Sequence, residues 1–223
     1  MKNEIYKRLL SSILLIPVAL FFIIQGSFFL IFFLIICFFI SAYEWHLMTK
    51  KIKFLLGGYI VLIFSFYSVF ELRNNLSGEY FYILLVTIIC VATDIGGYLF
   101  GKTFKGPKLT KISPNKTYSG MFGGFFLSFI STHVYINNIN FAQFKIETSI
   151  EFFLIVLLIS AISQLGDIII SYFKRLSKIK NTGKIIPGHG GLLDRIDGMI
   201  FAFPISYLIF YSELIVWNKR SQF

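Results

Sequence analysis

Gln164–Gly198 reads QLGDIIISYFKRLSKIKNTGKIIPGHGGLLDRIDG, and its mixture of apolar and charged residues determines how we interpret the rest of the chain. The stretch begins as the end of an apolar helix that contains Asp167. A basic exit at Lys174–Arg175 leads into a loop rich in Gly, Pro and Lys, and apolar sequence returns around Asp194 and Asp197. Carboxylates on both sides of a basic loop favour a site for a metal ion and a polyphosphate.

The composition is that of an integral membrane protein. The chain has 223 residues, of which 56% are hydrophobic and only 14% are charged, and 28 of them are Phe. A water-soluble core of this size does not need so much apolar sequence. The net charge of +10 lies between apolar runs. We therefore attribute it to membrane topology and to contact with anionic lipid and nucleotide phosphates, and we expect no nucleic-acid partner.

Seven apolar runs are each close to the roughly 20 residues that a helix needs to cross a bilayer. We therefore predict an all-α, polytopic membrane protein with about seven transmembrane helices. The predicted spans are Leu9–Ile24, Ser27–Ala42, Phe54–Phe70, Tyr80–Phe100, Ser119–Ile136, Ile150–Tyr172 and Ile196–Val216. We expect a single membrane domain, 1–223, with apolar N-terminal helices (1–90), a motif-bearing catalytic part (91–198) and a last helix with its tail (199–223).

The basic residues predict the orientation in the membrane. With the N-terminus in the cytoplasm, 17 of the 21 Lys and Arg residues fall in cytoplasmic segments, and the exceptions are Arg73, Lys145, Lys219 and Arg220. Cytoplasmic loops carry an excess of Lys and Arg, so we expect the N-terminus inside and the C-terminus outside. The polar site then faces the cytoplasm, at the inner side of the cell membrane.

Two acids, Asp94 and Asp167, lie within predicted spans. They precede the basic ends of their helices, at Lys102 and Lys174, by eight and seven residues, which places each roughly 10–12 Å inside. Charge within a bilayer is costly unless it is paired, bound to a metal or in contact with water. A structural role for either acid alone stays open, but their matched depth favours one shared polar site.

A second pair of acids is predicted at the start of the last helix. Asp194 and Asp197 are three residues apart, so both project from one helix face. Capping of the positive helix N-terminus is the alternative interpretation. Before them come His189, Gly190 and Gly191, where glycines allow close backbone approach and offer N–H groups to phosphate oxygens. Carboxylates beside such a loop suit Mg²⁺.

The loop Lys102–Gly120 contains five lysines. Its charge is explained either by the excess of positive charge on cytoplasmic loops or by a second phosphate clamp that faces Lys174–Arg175. The sequence has no GxxxxGK[ST] or GxGxxG motif, so neither a P-loop nor a Rossmann nucleotide site is supported.

These motifs resemble those of the phosphatidate cytidylyltransferase family, also called CDP-diacylglycerol synthases. Ser171–Asp197 is similar to the C-terminal signature of that family, and Gly166–Asp167 to the Gly-Asp element before it. Asp94–Tyr98 (DIGGY) resembles the element Asp-Thr-Gly-Ala-Tyr, and Lys111–Thr117 (KISPNKT) resembles Ile-Ser-Pro-Lys-Lys-Thr. The first 90 residues resemble the family only in being apolar.

The resemblance implies a nucleotidyltransferase of phospholipid biosynthesis that transfers the cytidylyl group of CTP to phosphatidate, giving CDP-diacylglycerol and pyrophosphate. It implies Mg²⁺, with or without a second cation, at Asp167, Asp194 and Asp197. The implied catalytic residues are these three acids with Lys174, Arg175 and His189. The implied substrate-binding residues are Asp94, Ser113, Lys116, Ser171, Lys180, Gly190, Gly191 and Arg195. Helical membrane enzymes of this size often associate, and the sequence leaves open whether the chain forms a homodimer.

The chain departs from the family pattern at four positions. Asn115 replaces a Lys, Ser119 and Ile170 each stand where Glu is common, and Asn181 replaces an Asp. Asn181 can still offer a cation an oxygen but brings no charge. The departures leave auxiliary cation and substrate contacts open, and with them a weakened or inactive relative, while the three implied metal-binding acids are intact.

Two other functions stay open at this point. A lipid kinase similar to dolichol or phytol kinases would transfer the γ-phosphoryl group of CTP to an alcohol, and it would need a base for the hydroxyl group. A transporter would use Asp94 and Asp167 as an ion path and would need polar residues along the full depth of its helices. The outer halves of the predicted spans are instead nearly all Phe, Ile, Leu and Val.

Overall fold

The computed structural model describes residues 2–50, 55–74, 80–110, 112–138, 150–188 and 190–220. These residues form eight helices. They are α1 (Lys2–Gln25), α2 (Ser27–Thr49), α3 (Leu55–Asn74), α4 (Phe81–Phe104), α5 (Tyr118–Asn138), α6 (Ile150–Leu176), α7 (Leu193–Ile196) and α8 (Met199–Arg220). Apart from the helices, the described residues contain two isolated β-bridges and no strand. The all-α prediction is confirmed.

Several helices have the length and composition of membrane spans. Four of them, α2, α3, α4 and α6, are long and apolar enough to cross a membrane, and α1 and α8 contain the shorter apolar segments Ile13–Gln25 and Met199–Ser212. Large apolar side chains such as Phe28 and Leu56 are about three-quarters exposed, at 73% and 75%. Such a surface is stable against lipid and not against water, so the chain is a polytopic membrane protein. The span count, the orientation and the three-part division of the domain stay predictions.

The prediction for the start of the last helix was wrong. A span was expected from Ile196, whereas the four-residue helix α7 ends there and α8 begins at Met199. Asp197 and Gly198 separate the two helices, and the carbonyl oxygen of Gly198 accepts backbone hydrogen bonds from Phe201, at 3.3 Å, and Ala202, at 3.1 Å. A Cβ atom at Gly198 would lie 2.5 Å from the hydroxyl oxygen of Ser163 on α6. The glycine therefore lets α8 begin directly against α6, and the acids of the signature lie before α8.

Helices α4 and α5 pack through glycines. A Cβ atom at Gly96 would lie 2.3 Å from the carbonyl oxygen of Gly123, and one at Gly120 would lie 2.7 Å from that of Gly97. Small residues let two helix backbones approach this closely inside a membrane. This contact fixes the position of the α4–α5 loop, which carries Lys116, relative to the helix that carries Asp94.

A buried apolar cluster joins the ends of α2 and α6 to α7. Trp45 of α2 meets Phe173 of α6 edge-on with ring centroids 5.1 Å apart, and Leu193 of α7 is fully buried beside them. Ile170, which stands where relatives commonly have Glu, is 3% exposed in the same cluster. This departure from the family pattern is therefore a buried apolar position of the cluster.

Candidate active site

Lys174 connects the two acids of the signature. Its Nζ atom lies 3.1 Å from Oδ1 of Asp194 and 3.6 Å from Oδ2 of Asp197. Both carboxylates therefore meet at one side chain, although Asp194 lies in α7 and Asp197 directly follows it, and neither belongs to the last helix as predicted. All three side chains are largely buried, with Lys174 at 12% and Asp194 at 6% exposure. A hydrogen-bonded pair of opposite charges in such a setting is held strongly in place.

Asp194 also organises the loop before it. Its Oδ2 atom accepts hydrogen bonds from the backbone N–H groups of Thr182, at 2.9 Å, and Gly191, at 3.1 Å. A hydrogen bond from Lys174 to Oδ1 engages the other oxygen. The carboxylate thus ties the beginning of the loop to its end and to α6.

Lys116 forms a second ion pair. Its Nζ atom lies 2.5 Å from Oδ2 of Asp167 and donates to the carbonyl oxygen of Gln164 at 3.2 Å. Ser171, one turn further along α6, donates to Oδ1 of Asp167 at 3.3 Å. Lys116 belongs to the loop that was predicted to act as a phosphate clamp, and its ion pair with Asp167 places it in the site. Ser113 shapes the turn before it, because its carbonyl oxygen accepts the backbone N–H of Lys116.

The four predicted acids lie in one region of the protein. The charges of Asp167, Lys116 and Arg195 act on Asp94, and those of Asp167, Lys174 and Asp94 act on Asp197. Helices α4 and α6 therefore bring their acids together, as the matched depth predicted. The four acids with two lysines and an arginine form a polar cluster within an otherwise apolar bundle.

The glycine loop differs from its prediction in one respect. The backbone N–H of Gly190 donates to the carbonyl oxygen of Ile186 at 3.1 Å, and that of Gly191 donates to Asp194. These two N–H groups were expected to bind phosphate, and the structure uses them to close the loop. Gly190 has φ +91°, which an L side chain rarely adopts. His189 lies outside the described residues, so its role stays a prediction.

Other predicted residues surround this cluster. Arg175 and Lys180 are exposed, one after Lys174 at the end of α6 and one in the loop. Ser119 donates to the carbonyl oxygen of Lys105, so this departure from the family pattern has a structural partner. Asn181 is exposed, and its side chain borders Gly190.

One residue of the site was missed by sequence reasoning. Glu44, near the end of α2, is 1% exposed and accepts hydrogen bonds from Thr182, Leu192 and Leu193. In the sequence it is a single acid next to Trp45 at the end of an apolar span. The only available signal was that a charge at such a position needs a partner.

The donor set decides which kind of metal site is compatible with the structure. Within the described ranges, no group of three or more Asp, Glu, His or Cys side chains lies close enough to hold a metal ion. Asp194 is engaged by the loop, which leaves Asp167 and Asp197, each with one oxygen directed at a lysine. Mg²⁺ is commonly held by one or two carboxylates together with waters and substrate phosphates, and these two acids fit that arrangement.

Comparison with known proteins gives consistent matches. The model of the cytidylyltransferase family matches residues 52–212. Phosphatidate cytidylyltransferases of Rickettsia felis and Rickettsia bellii are 35% and 36% identical, over 93% of this chain and 93% and 91% of theirs. That of Staphylococcus aureus is 43% identical over 125 residues, which is 56% of this chain and 46% of its own. The similarity therefore extends well beyond the motif region, and the expectation that the first 90 residues match only in being apolar was wrong.

Proposed function

The chain belongs to the cytidylyltransferase family, and on that premise we propose that it transfers the cytidylyl group of CTP to phosphatidate. The products are CDP-diacylglycerol and pyrophosphate. The relatives with the same extent of sequence carry the name phosphatidate cytidylyltransferase. The observation that supports the proposal best is the cluster of ion pairs Lys116–Asp167 and Lys174–Asp194–Asp197 within a lipid-exposed bundle.

The reaction needs a site that receives much negative charge. An oxygen of the phosphatidate phosphate attacks the α-phosphorus of CTP in line. The bond from that phosphorus to the bridging oxygen then breaks, and pyrophosphate leaves with the electron pair. A phosphate monoester is already largely anionic near pH 7, so no side chain has to remove a proton from the nucleophile. His189 is therefore not required as a base.

The lysines supply the positive charge for this transfer. In the absence of substrate, Lys116 pairs with Asp167, and Lys174 pairs with Asp194 and Asp197. We infer that both ammonium groups turn toward phosphate oxygens when the nucleotide enters. Exposed Arg175 then grips a phosphate of CTP or of the lipid, because its planar guanidinium binds two oxygens at once.

When the lysines turn to phosphate, Asp167 and Asp197 lose their ammonium partners, and Asp194 loses one of its three donors. Asp167 and Asp197 would then hold Mg²⁺, which supplies charge neutralisation for the leaving pyrophosphate when it is bound. Asp194 keeps the loop in place through Thr182 and Gly191. The proposal covers Mg²⁺ at these acids with or without a second cation.

We place the site on the cytoplasmic side of the cell membrane. The argument is the excess of Lys and Arg in the loops that carry it. Phosphatidate would remain in the inner leaflet with its headgroup at the interface, and CTP would arrive from the cytosol.

A labelling assay tests the proposed reaction. Purified protein in detergent–phosphatidate micelles with Mg²⁺ receives CTP labelled on either the α- or the γ-phosphate. We expect α-label in the lipid with release of pyrophosphate. Label transferred from the γ-position, checked also with isoprenoid alcohols, would assign a kinase instead, and no transfer from either position would refute both.

The variant Asp167→Asn connects this reaction to the site. Asp167 lies near the lysine-bearing end of α6, and Glu151 is exposed in the first turn of the same helix. We expect Asp167→Asn to lose α-label transfer and Glu151→Gln to keep it. Equal activity of the two variants would exclude the cluster as the site.

A further inference from the structure

Glu44 is a buried carboxylate that no motif of the chain includes. It lies on α2, and its side chain is directed at the loop before α7, whose residues come 138 to 149 positions later. Its Oε1 atom accepts the backbone N–H of Leu192 at 3.1 Å. Its Oε2 atom accepts that of Leu193 at 2.8 Å and the hydroxyl of Thr182 at 2.9 Å. Burial of a carboxylate is costly unless such donors surround it.

The loop is shaped around this carboxylate. A Cβ atom at Gly183 would lie 2.4 Å from Oε1 of Glu44, and one at Gly191 would lie 2.4 Å from Oε2. A Cβ atom at Gly191 would also lie 2.3 Å from the hydroxyl oxygen of Thr182. Both glycines therefore make room for Glu44, and the loop cannot close in this way around a larger residue at either position.

Thr182 is held from two sides. Its hydroxyl donates to Glu44, and its backbone N–H donates to Asp194, at 2.9 Å in each case. Asp194 in turn accepts from Lys174. A continuous series of hydrogen bonds thus runs from Glu44 on α2 through the loop to the ammonium group of Lys174 on α6.

The end of α2 is itself fixed to α6. Ser177, directly after α6, donates to the carbonyl oxygen of Met48 at 2.6 Å, and Trp45 packs against Phe173. Glu44 and Lys174 are therefore carried by two helix ends that are fastened to each other. Because α2 is fixed to α6, the carboxylate of Glu44 determines where the loop before α7 lies relative to Lys174.

We propose that Glu44 is a positioning residue for cytidylyl transfer, which holds Thr182, Leu192 and Leu193 and thereby keeps Asp194 and its loop in place beside Lys174. This inference rests on the proposed function of the site. Glu44 itself touches no reacting group in this scheme. Its loss should therefore lower kcat through misplacement of Asp194 and Lys174, while the bundle stays folded.

The variant Glu44→Gln tests this role with little change in shape. In either orientation of the amide, its NH₂ group faces a backbone N–H of Leu192 or Leu193, so one hydrogen bond becomes a clash of donors. Misplacement of catalytic groups by about 1 Å costs roughly 100-fold in rate, and we expect a loss of kcat of about that size with a smaller change in KM for CTP. Glu44→Asp keeps both acceptor oxygens and should recover part of the rate.

The matched control is Glu71→Gln. Glu71 is also a buried acid, at 8% exposure, but it lies on α3 and pairs with Tyr67. We expect this variant to keep wild-type kcat. A similar loss of kcat in Glu71→Gln and Glu44→Gln would contradict the proposal, because a general effect of buried acids would then explain both.

A readout without activity separates this proposal from the proposed function. Trypsin can cut the loop after the exposed residues Lys178, Lys180 and Lys184. We expect cleavage in folded Glu44→Gln protein to be at least about tenfold faster than in wild type, in line with the loss of about 1.4 kcal/mol of loop stability. Unchanged loop cleavage would overturn the proposal even if the rate of transfer falls. If Glu44→Gln speeds loop cleavage but the wild-type protein shows no cytidylyl transfer, then Glu44 does hold the loop and the proposed reaction is wrong.

If Glu44→Gln does not fold, Thr182→Val takes its place. That substitution removes the hydroxyl that donates to Glu44 and keeps the backbone N–H that donates to Asp194. Faster loop cleavage with a lower kcat supports the proposal, and wild-type values for both contradict it.

Discussion

The ammonium group of Lys116 lies 2.5 Å from a carboxylate oxygen of Asp167, although the two residues belong to different motifs. Lys116 is in the loop before α5, and Asp167 is on α6. The pair joins the lysine loop to the signature region, so the separated motifs form one polar cluster.

This pair predicts that Lys116 is required for transfer. Lys116→Met removes a cation that we place on the substrate phosphates and leaves Asp167 without its partner. Loss of one preorganised charge-stabilising group lowers kcat by about 100-fold or more, and we expect a loss of that order in the α-label assay.

The control is Lys108→Met, in the same loop with an exposed side chain. It should retain most of the activity. Comparable losses in both variants would mean that the loop contributes only its total charge.

Asp194 should be needed for stability as well as activity. Asp194→Ala leaves the backbone N–H groups of Thr182 and Gly191 without their acceptor, at a cost of about 1–3 kcal/mol each when buried. Thermal unfolding in detergent should therefore show a lower Tm than wild type. The exposed acid variant Glu151→Ala serves as the reference, and an Asp194→Ala protein as stable as this reference would contradict the assigned hydrogen bonds.

The glycine contact between α4 and α5 predicts a second stability effect. Gly96→Ala places a methyl group against the backbone carbonyl of Gly123, which cannot move aside as a side chain can. We expect destabilisation of about 1–3 kcal/mol, measured as a lower Tm. Gly57→Ala on α3 meets nothing within 4 Å and should leave the Tm unchanged or slightly higher. The reverse order of the two variants would exclude the close packing of α4 on α5.

Metal removal should separate catalysis from folding. Lys116 and Lys174 form ion pairs with Asp167, Asp194 and Asp197, so these acids have partners within the protein itself. A chelator should therefore abolish transfer, with recovery on addition of Mg²⁺, but should leave the Tm of the substrate-free protein unchanged. A large fall in Tm on chelation would indicate a structural metal and would contradict the assigned ion pairs.

The sidedness of the site can be measured on Lys184. The variant Lys184→Cys, in a chain whose Cys37 and Cys90 are replaced by Ala, places one thiol in the loop between α6 and α7. A membrane-impermeant maleimide should label it in inside-out vesicles and not in intact cells. Labelling in intact cells would reverse the orientation predicted from the basic residues.

The sequence predicted the helices and the acids of the site well because both depend on local signals. Length and apolar composition predict the long helices, and the depth of Asp94 and Asp167 follows from their distance to basic residues. The start of α8 was predicted too early. In the structure the helix is interrupted before α8, at Gly198, but a glycine can also occur within an apolar helix and so gave no signal of this interruption. The role of Gly198 depends on Ser163, a distant residue of α6.

Glu44 and the glycine loop could not be predicted in the same way. The donors to Glu44 come from backbone N–H groups and a threonine far along the chain. The residues next to Glu44 in the sequence give no sign of these donors. Likewise, GHGG suggests free N–H groups for phosphate, and only the folded loop reveals that Gly190 and Gly191 donate within the protein.

The long separation between Glu44 and its donors has a consequence for synthesis of the chain. Thr182 is translated 138 residues after Glu44, which at about 5–20 residues per second takes roughly 7–30 s. During that interval α2 is in the nascent chain while its carboxylate has none of these three donors. Chains that stop before the loop between α6 and α7 would leave the acid at the end of α2 without these three donors, so this part of the site can form only after nearly the whole chain has been made.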